Sequence, residues 1–233
     1  MVGGRVKRVL GVCAAAVLVS SACSASESSG GADLESRLAA AKTALDEAAS
    51  VEFTLAADGL PDGVAGVELA EGVGTHAPAF EGEITISGGG ILDGQTVKVV
   101  SVDGEVYANA AFTSSYFAVD PADFGAPDPA ALIDPDSGVS TLLTEANDLQ
   151  DEGESREGDT VVTELSGSVP GKVLARIFPT ASAGDPYDVL FTVTDENDVR
   201  GLTVAGAFYG KGGNVTYDLT FDPSDEEVEI TKP

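Results

Sequence analysis

The chain of 233 residues has no tryptophan, one histidine, one methionine and two cysteines, and 39 acidic residues outnumber 12 basic ones. Each shortage excludes something. A Ser-His-Asp site would have to use His76, which stands in a glycine-rich stretch, and no G-x-S-x-G elbow supplies the nucleophile. Zinc is disfavoured for want of soft ligands. Nucleic acid is bound by neutralising phosphates with Lys and Arg, so a chain this acidic is not built for it. Broad adsorption to an anionic bilayer is disfavoured for the same reason. The acidity reads as solubility rather than as a specific partner. The longest apolar run near the N-terminus, Val9 to Val19, falls short of the ~20 residues that a membrane-spanning helix needs.

That run organises the N-terminus. Arg5, Lys7 and Arg8 precede it and small residues follow, the pattern of a secretory signal peptide. Ser20-Ser21-Ala22 then lead to Cys23 in the manner of a bacterial lipobox, with Ser20 where Leu is usual and Leu18 and Val19 just upstream. Residues 1–22 are expected to be removed and Cys23 to be acylated as the new N-terminus. The alternative is an ordinary cleavable signal that contains a cysteine. Removal leaves 211 residues with nine basic against 39 acidic side chains, a charge of about −30. Cys13 goes with the leader, so no intramolecular disulfide can form. The mature chain is placed on the outer face of the cytoplasmic membrane, held through Cys23. It must rely on an apolar core, for which about 200 residues suffice.

Residues 23–32 carry a Ser- and Gly-rich stretch that reads as a flexible tether. From Asp33, a reasonable N-cap, the spacing of Leu34, Leu38, Ala41, Leu45 and Ala48 predicts a helix. The period then switches to two. Val51, Phe53 and Leu55 alternate with polar or small residues, as do Ile84 and Ile86. Gly59 to His76 reads as a loop with at most a short strand. Thr96–Val102 and Glu105–Asn109 flank Asp103-Gly104, a strong two-residue hairpin signal. Ala118 to Ser137 holds five Asp and four Pro and is expected to be mostly irregular. Val139, Leu142, Leu143, Ala146 and Leu149 predict a second helix, and Val173, Leu174 and Ile177 a short third one after Pro170. A strand is expected over Asp159–Leu165, and four more close the chain, the last at Val228–Ile230. Eight to ten strands with three helices in one domain, residues 33–233, predict an α+β fold with an antiparallel sheet covered on one side.

Little in this pattern carries chemistry. Asp134, Asp136 and Glu145 take places 1, 3 and 12 of an EF-hand-like loop, but Pro135, Gly138 and Val139 occupy places where the loop needs other residues. Asp136-Ser137-Gly138 therefore reads as helix-entry turn chemistry. Asn214-Val215-Thr216 matches a glycosylation sequon inside an expected strand. No catalytic residue, metal site or cofactor is assigned. What remains is a large apolar surface, which either fills an ordinary core or lines a cavity inside a curved sheet. Periodicity alone is compatible with both.

Three stretches narrow the choice. Val102-Asp103-Gly104-Glu105-Val106-Tyr107-Ala108, then Asp134-Pro135-Asp136-Ser137-Gly138-Val139 running into Leu142-Leu143, then Val228 to Pro233, resemble in their order the mycobacterial LppX/LprAFG lipoproteins. The order of elements agrees from Asp33 to Pro233, and so do the lipobox and tether. The chain departs from the pattern in lacking tryptophan, in a longer loop near Gly59–His76 and in its acidity. The resemblance implies a half-barrel, one curved antiparallel sheet with helices on its concave side around a hydrophobic cavity. It also implies a monomeric, non-enzymatic carrier of di- to tetra-acylated lipids or glycolipids, moving them from the cytoplasmic membrane toward the outer envelope, with a major-facilitator exporter as a partner of some members. The expected cavity walls are Phe53, Leu55, Ile84, Ile86, Val97, Val99, Leu142, Leu143, Ile177, Phe191, Val204, Tyr217 and Leu219. The rival classes are a surface adhesin or signalling lipoprotein with a filled core, and an exported hydrolase using paired carboxylates.

Overall fold

The computed structural model describes residues 27–88, 93–110, 115–210 and 213–233. The leader and Cys23 lie outside them. Alternating side chains build two meanders. The first is β1 (Ser50–Asp58), β2 (Gly66–Thr75), β3 (Ala79–Ser87), β4 (Gln95–Val102), β5 (Glu105–Ala110) and β6 (Phe117–Val119). The second is β7 (Asn147–Glu157), β8 (Thr160–Pro170), β9 (Pro186–Thr194), β10 (Val199–Gly206) and β11 (Val215–Ser224). Pairing of β1 with β11 fuses them into one antiparallel sheet, ordered β6-β5-β4-β3-β2-β1-β11-β10-β9-β8-β7. β6 and β7 are its edges, so the barrel is half-open.

Register puts the apolar set of each strand on the concave face. Phe53 stands opposite Phe221 and Leu55 opposite Leu219 across the fusion. Leu202 pairs with Phe191 and Val204 with Val189 farther along. The β4–β5 hairpin forms as the sequence dictates, with Asp103 at φ 56° and Gly104 at φ 73°, the left-handed pair that suits the strands' twist.

Three helices sit inside the curve: α1 (Glu27–Glu47), α2 (Leu142–Glu145) and α3 (Gly171–Leu174). α1 buries Leu38, Ala41 and Leu45, and Arg37 donates to the carbonyls of Val193 and Thr194 at 3.4 and 3.1 Å. The helices lie over one half of the sheet, α1 against β7 and β10, α2 against β8, and α3 against β8 and β9. The other half is covered by the irregular stretch between β6 and α2. Its 3-10 turn Pro129–Ile133, capped by Asp128, meets β2, β3 and β4.

Several expectations shift. α1 starts at Glu27, so residues 27–32 are helical rather than part of a tether; once nucleated, a helix extends at little cost. The helix after Val139 stops at Glu145, and Asn147–Glu157 is a strand. Gly66–Thr75, expected to be mostly loop, is a strand of ten residues. Its glycines are there for packing: Phe80 lies over Gly72 and its cross-strand partner Gly82. Val228–Ile230 forms no strand; the tail crosses the back of the sheet instead.

A Cβ at Gly82 would collide with the Glu71 carbonyl oxygen and the Phe80 ring. Gly82→Ala should therefore lower stability by about 1–3 kcal/mol through overpacking. Urea unfolding with an unchanged midpoint would show that the sheet absorbs the methyl group.

Candidate functional site

The concave face is not packed solid. Under the stretch between β6 and α2 lies an apolar cavity of about 100 Å³, open to solvent on one side. The sheet wall is built by inward residues of consecutive strands: Leu55 on β1, Val67 and Ala70 on β2, Ile84 and Ile86 on β3, Val97 and Val99 on β4, and Val106 and Ala108 on β5. Phe117 and Val119 of edge strand β6 line the rim, and Phe117 is 46% exposed. The opposite wall is Pro121, Phe124–Pro127, Pro129 and Leu132, with Phe178 and Tyr217 at the inner end.

Of these twenty lining residues only Tyr217 carries a polar side-chain atom. Phe178 stacks on Tyr217 with centroids 5.2 Å apart, and Phe208 meets Tyr217 edge-on at 4.7 Å. Burial first, and then the Tyr209 hydroxyl 3.2 Å away, push the Tyr217 phenol far above its ordinary value. The cavity wall is thus uncharged across the physiological range.

Six of the thirteen residues expected from sequence meet in this cavity: Leu55, Ile84, Ile86, Val97, Val99 and Tyr217. The other seven are buried elsewhere. Phe53, Leu142, Val204 and Leu219 belong to the packed core. Leu143 and Phe191 border a small gap beside α2, and Ile177 faces a pocket on the outer side of the Pro121–Leu132 wall. Four of the twelve residues that line this outer pocket are polar or charged, Asp120, Asp128, Ser137 and Arg176. Sequence reasoning missed Phe124, Leu132 and the prolines, whose signal was an apolar content unusual for so irregular a stretch.

Two basic side chains fasten this wall to α1. His76 directs Nδ1 to the carbonyl of Ile133 at 2.8 Å and Nε2 to that of Leu45 at 3.0 Å, and a neutral ring can donate to only one of them. Lys42 donates to the Pro135 carbonyl at 2.7 Å and to Ser140 Oγ at 3.3 Å, and pairs with Asp46. Asp134 closes the turn between these points, its Oδ1 accepting from the amides of Asp136 and Ser137 and from the Ser137 hydroxyl. This is the turn chemistry expected of Asp136-Ser137-Gly138.

Sequence comparison places this architecture. The family model of the LppX_LprAFG lipoproteins matches residues 33–230. The chain belongs to that family. Among its relatives, the lipoarabinomannan carrier protein LprG of Mycolicibacterium smegmatis is 28% identical over 241 residues, covering 98% of this chain and 96% of its own. LprG of Mycobacterium tuberculosis is 26% identical, covering 98% and 95%. Two solved structures share the LppX/LprAFG fold. LprF from Mycobacterium bovis superposes with a TM-score of 0.72 at 15% identity, over 87% of this chain and 97% of that one. LppX from Mycobacterium tuberculosis gives 0.64 at 15% identity, over 86% and 99%. Among the described residues no helix is long and apolar enough to cross a membrane.

Burial raises the Asp134 carboxyl's pKa, but the Ser137 and Asp136 hydrogen bonds and the nearby His76 outweigh it, leaving the value below the ordinary one. A depressed carboxylate stabilises the fold above its unfolded pKa and loses that contribution as pH falls. Asp134→Ala should cost about 1 kcal/mol near neutrality. Thermal melts should show the gap from the parent closing as pH drops through the carboxylate range; a gap that stays constant with pH would contradict this.

Proposed function

We propose that this protein is an envelope lipoprotein that takes acylated lipids into the apolar cavity and carries them across water. The observation that carries this reading is the cavity wall, twenty residues with one polar side-chain atom among them and none from an α-helix of the described residues, in a protein whose 39 acidic residues outnumber 12 basic ones. A filled core would have placed helix side chains there. The naming of its relatives as lipoarabinomannan carriers supports the same reading.

The energetics fit. At about 0.8 kcal/mol per methylene, exposing one ~16-carbon chain to water costs on the order of 12 kcal/mol. A lipid with several chains therefore needs an apolar enclosure rather than a catalyst. An enclosed apolar space of about 150 Å³ holds a benzene-sized guest, so a cavity of about 100 Å³ must widen before a chain enters. Leu55, Ile84, Ile86, Val97, Val99 and Tyr217 would meet the chains. Asp120, Asp128, Ser137 and Arg176 of the outer pocket, which shares Pro121, Ala126, Pro127 and Leu132 with the cavity, would face the head group. Residues 1–22 would direct export and Cys23 would carry the anchor, with the tether ending where α1 begins. Cargo would move outward from the cytoplasmic membrane.

The test is mass spectrometry of the organic extract from the full chain carrying Cys23→Ala, secreted by an actinobacterial host and purified without detergent. A stoichiometric lipid of two to four acyl chains is expected, and Val99→Trp should abolish it by filling the cavity while leaving the fold intact. A folded parent that yields no lipid would point to the adhesin or signalling class.

A further inference from the structure

On the convex face of the sheet one apolar cluster is buried. Ala79 and Val100 are buried there, with Val73, Val102 and Tyr116 packed around them, and what covers them is Ile230, 9% exposed, from the end of the chain. The tail leaves β11 at Ser224. It is fixed beside β1, where Ser50 Oγ donates to the Glu226 carbonyl at 2.8 Å. It then crosses behind β2, β3 and β4 and ends on β5. There Lys232 Nζ donates to Glu105 at 2.7 Å and stands 4.9 Å from the Tyr107 ring centroid. One extended segment thus joins β11 and β1 to β5 across the outside of the curve.

Among the described residues the α-helices make their main contacts with β7–β10, not with the strands this segment spans. Behind Val100 on the same strand, Val97 and Val99 face the cavity, and behind Glu105 and Tyr107, Val106 and Ala108 do. Beyond β5 only the three-residue edge strand β6 follows. This wall is therefore held on its concave side by the Pro129–Ile133 turn and on its convex side by the tail. The geometry opposes motion both ways. Flattening the sheet shortens the outer arc and squeezes Ile230 from its seat. Curling it further lengthens the arc and pulls Lys232 from Glu105.

We propose that residues 225–233 form a brace that fixes the curvature of the β3–β5 wall and so governs how readily the cavity admits and releases lipid. The inference rests on the carrier reading above and assigns Ile230 and Lys232 as positioning residues, which touch no cargo. Breaking the brace lowers the barrier to wall movement in both directions, so uptake and release both quicken.

The experiment loads the full chain carrying Cys23→Ala with pyrene-acyl phosphatidylcholine and follows transfer to unlabelled phosphatidylcholine vesicles by stopped flow. Ile230→Asp is expected to release the probe about tenfold faster, the scale set by losing one buried aliphatic contact. Lys232→Glu, on the surface and without consequence for folding, should quicken release about two- to threefold, as befits an exposed pair. Adding Glu105→Lys to it should restore the parent rate, which a nonspecific loosening would not do. Probe bound by all variants and released at one common rate would overturn the brace and leave the carrier intact. A parent that takes up no probe would overturn the carrier reading, and the brace with it.

Discussion

The concave face of eleven strands is larger than the helices of this chain can cover, and the rest of the structure follows from that shortage. A sheet ordinarily buries its apolar face against a helical layer. Here α1, α2 and α3 lie over β7–β10, where Leu38, Leu142 and Leu174 are fully buried. The inner faces of β2–β4 receive instead a stretch rich in proline, alanine and aspartate. It lays backbone and short side chains over the sheet, with Leu132 and Ile133 reaching in from a single turn. The volume that helix side chains would have filled stays open, and the cavity is that volume.

A cover without regular structure needs fastening, since its own hydrogen bonds are local. Gly125 and Ala126 donate back to Ala122 and Pro121 within their own turn. Longer reach comes from three polar contacts: Ser101 of β4 to Asp128 at 2.5 Å, His76 to Ile133, and Lys42 to Pro135. All three hold the part of the cover nearest α2. Among the described residues the part from Pro121 to Phe124 makes no such contact with the sheet, and it shares the rim with the exposed Phe117. The cavity is thus bounded by one firmly tied side and one loosely tied side, an arrangement suited to an opening.

How far sequence led depended on whether a residue's environment was periodic. Strands with one covered face were legible, because burial alternates along them as the side chains do; β1, β9, β10 and β11 are examples. The β4–β5 turn was legible because Asp-Gly meets a specific backbone demand. β7 was not, since ten of its eleven residues are exposed and alternation has nothing to report. β2 was hidden by glycines that make room for Phe80 on the next strand and for Ile133, far along the chain. The same limit applies to the cavity. Periodicity places Phe53, Leu55, Phe191 and Tyr217 on one face alike, but which of them meets empty space depends on where the helices fall, and no strand's own pattern contains that.

The distribution of charge completes the argument. A half-barrel keeps two unpaired edges, each a template for pairing with another chain. At one end β6 is only three residues long. At the other, β7 exposes Asp148, Asp151, Glu152, Glu154 and Glu157, so a second copy approaching that edge would meet the same carboxylates. The acidity that first looked like general solubility is in part edge protection, which lets a sheet remain open around an uncharged cavity without joining its neighbours. Closing the sheet into a barrel would remove the edges, but it would also seal the rim that Phe117 and Val119 of β6 form beside the cavity.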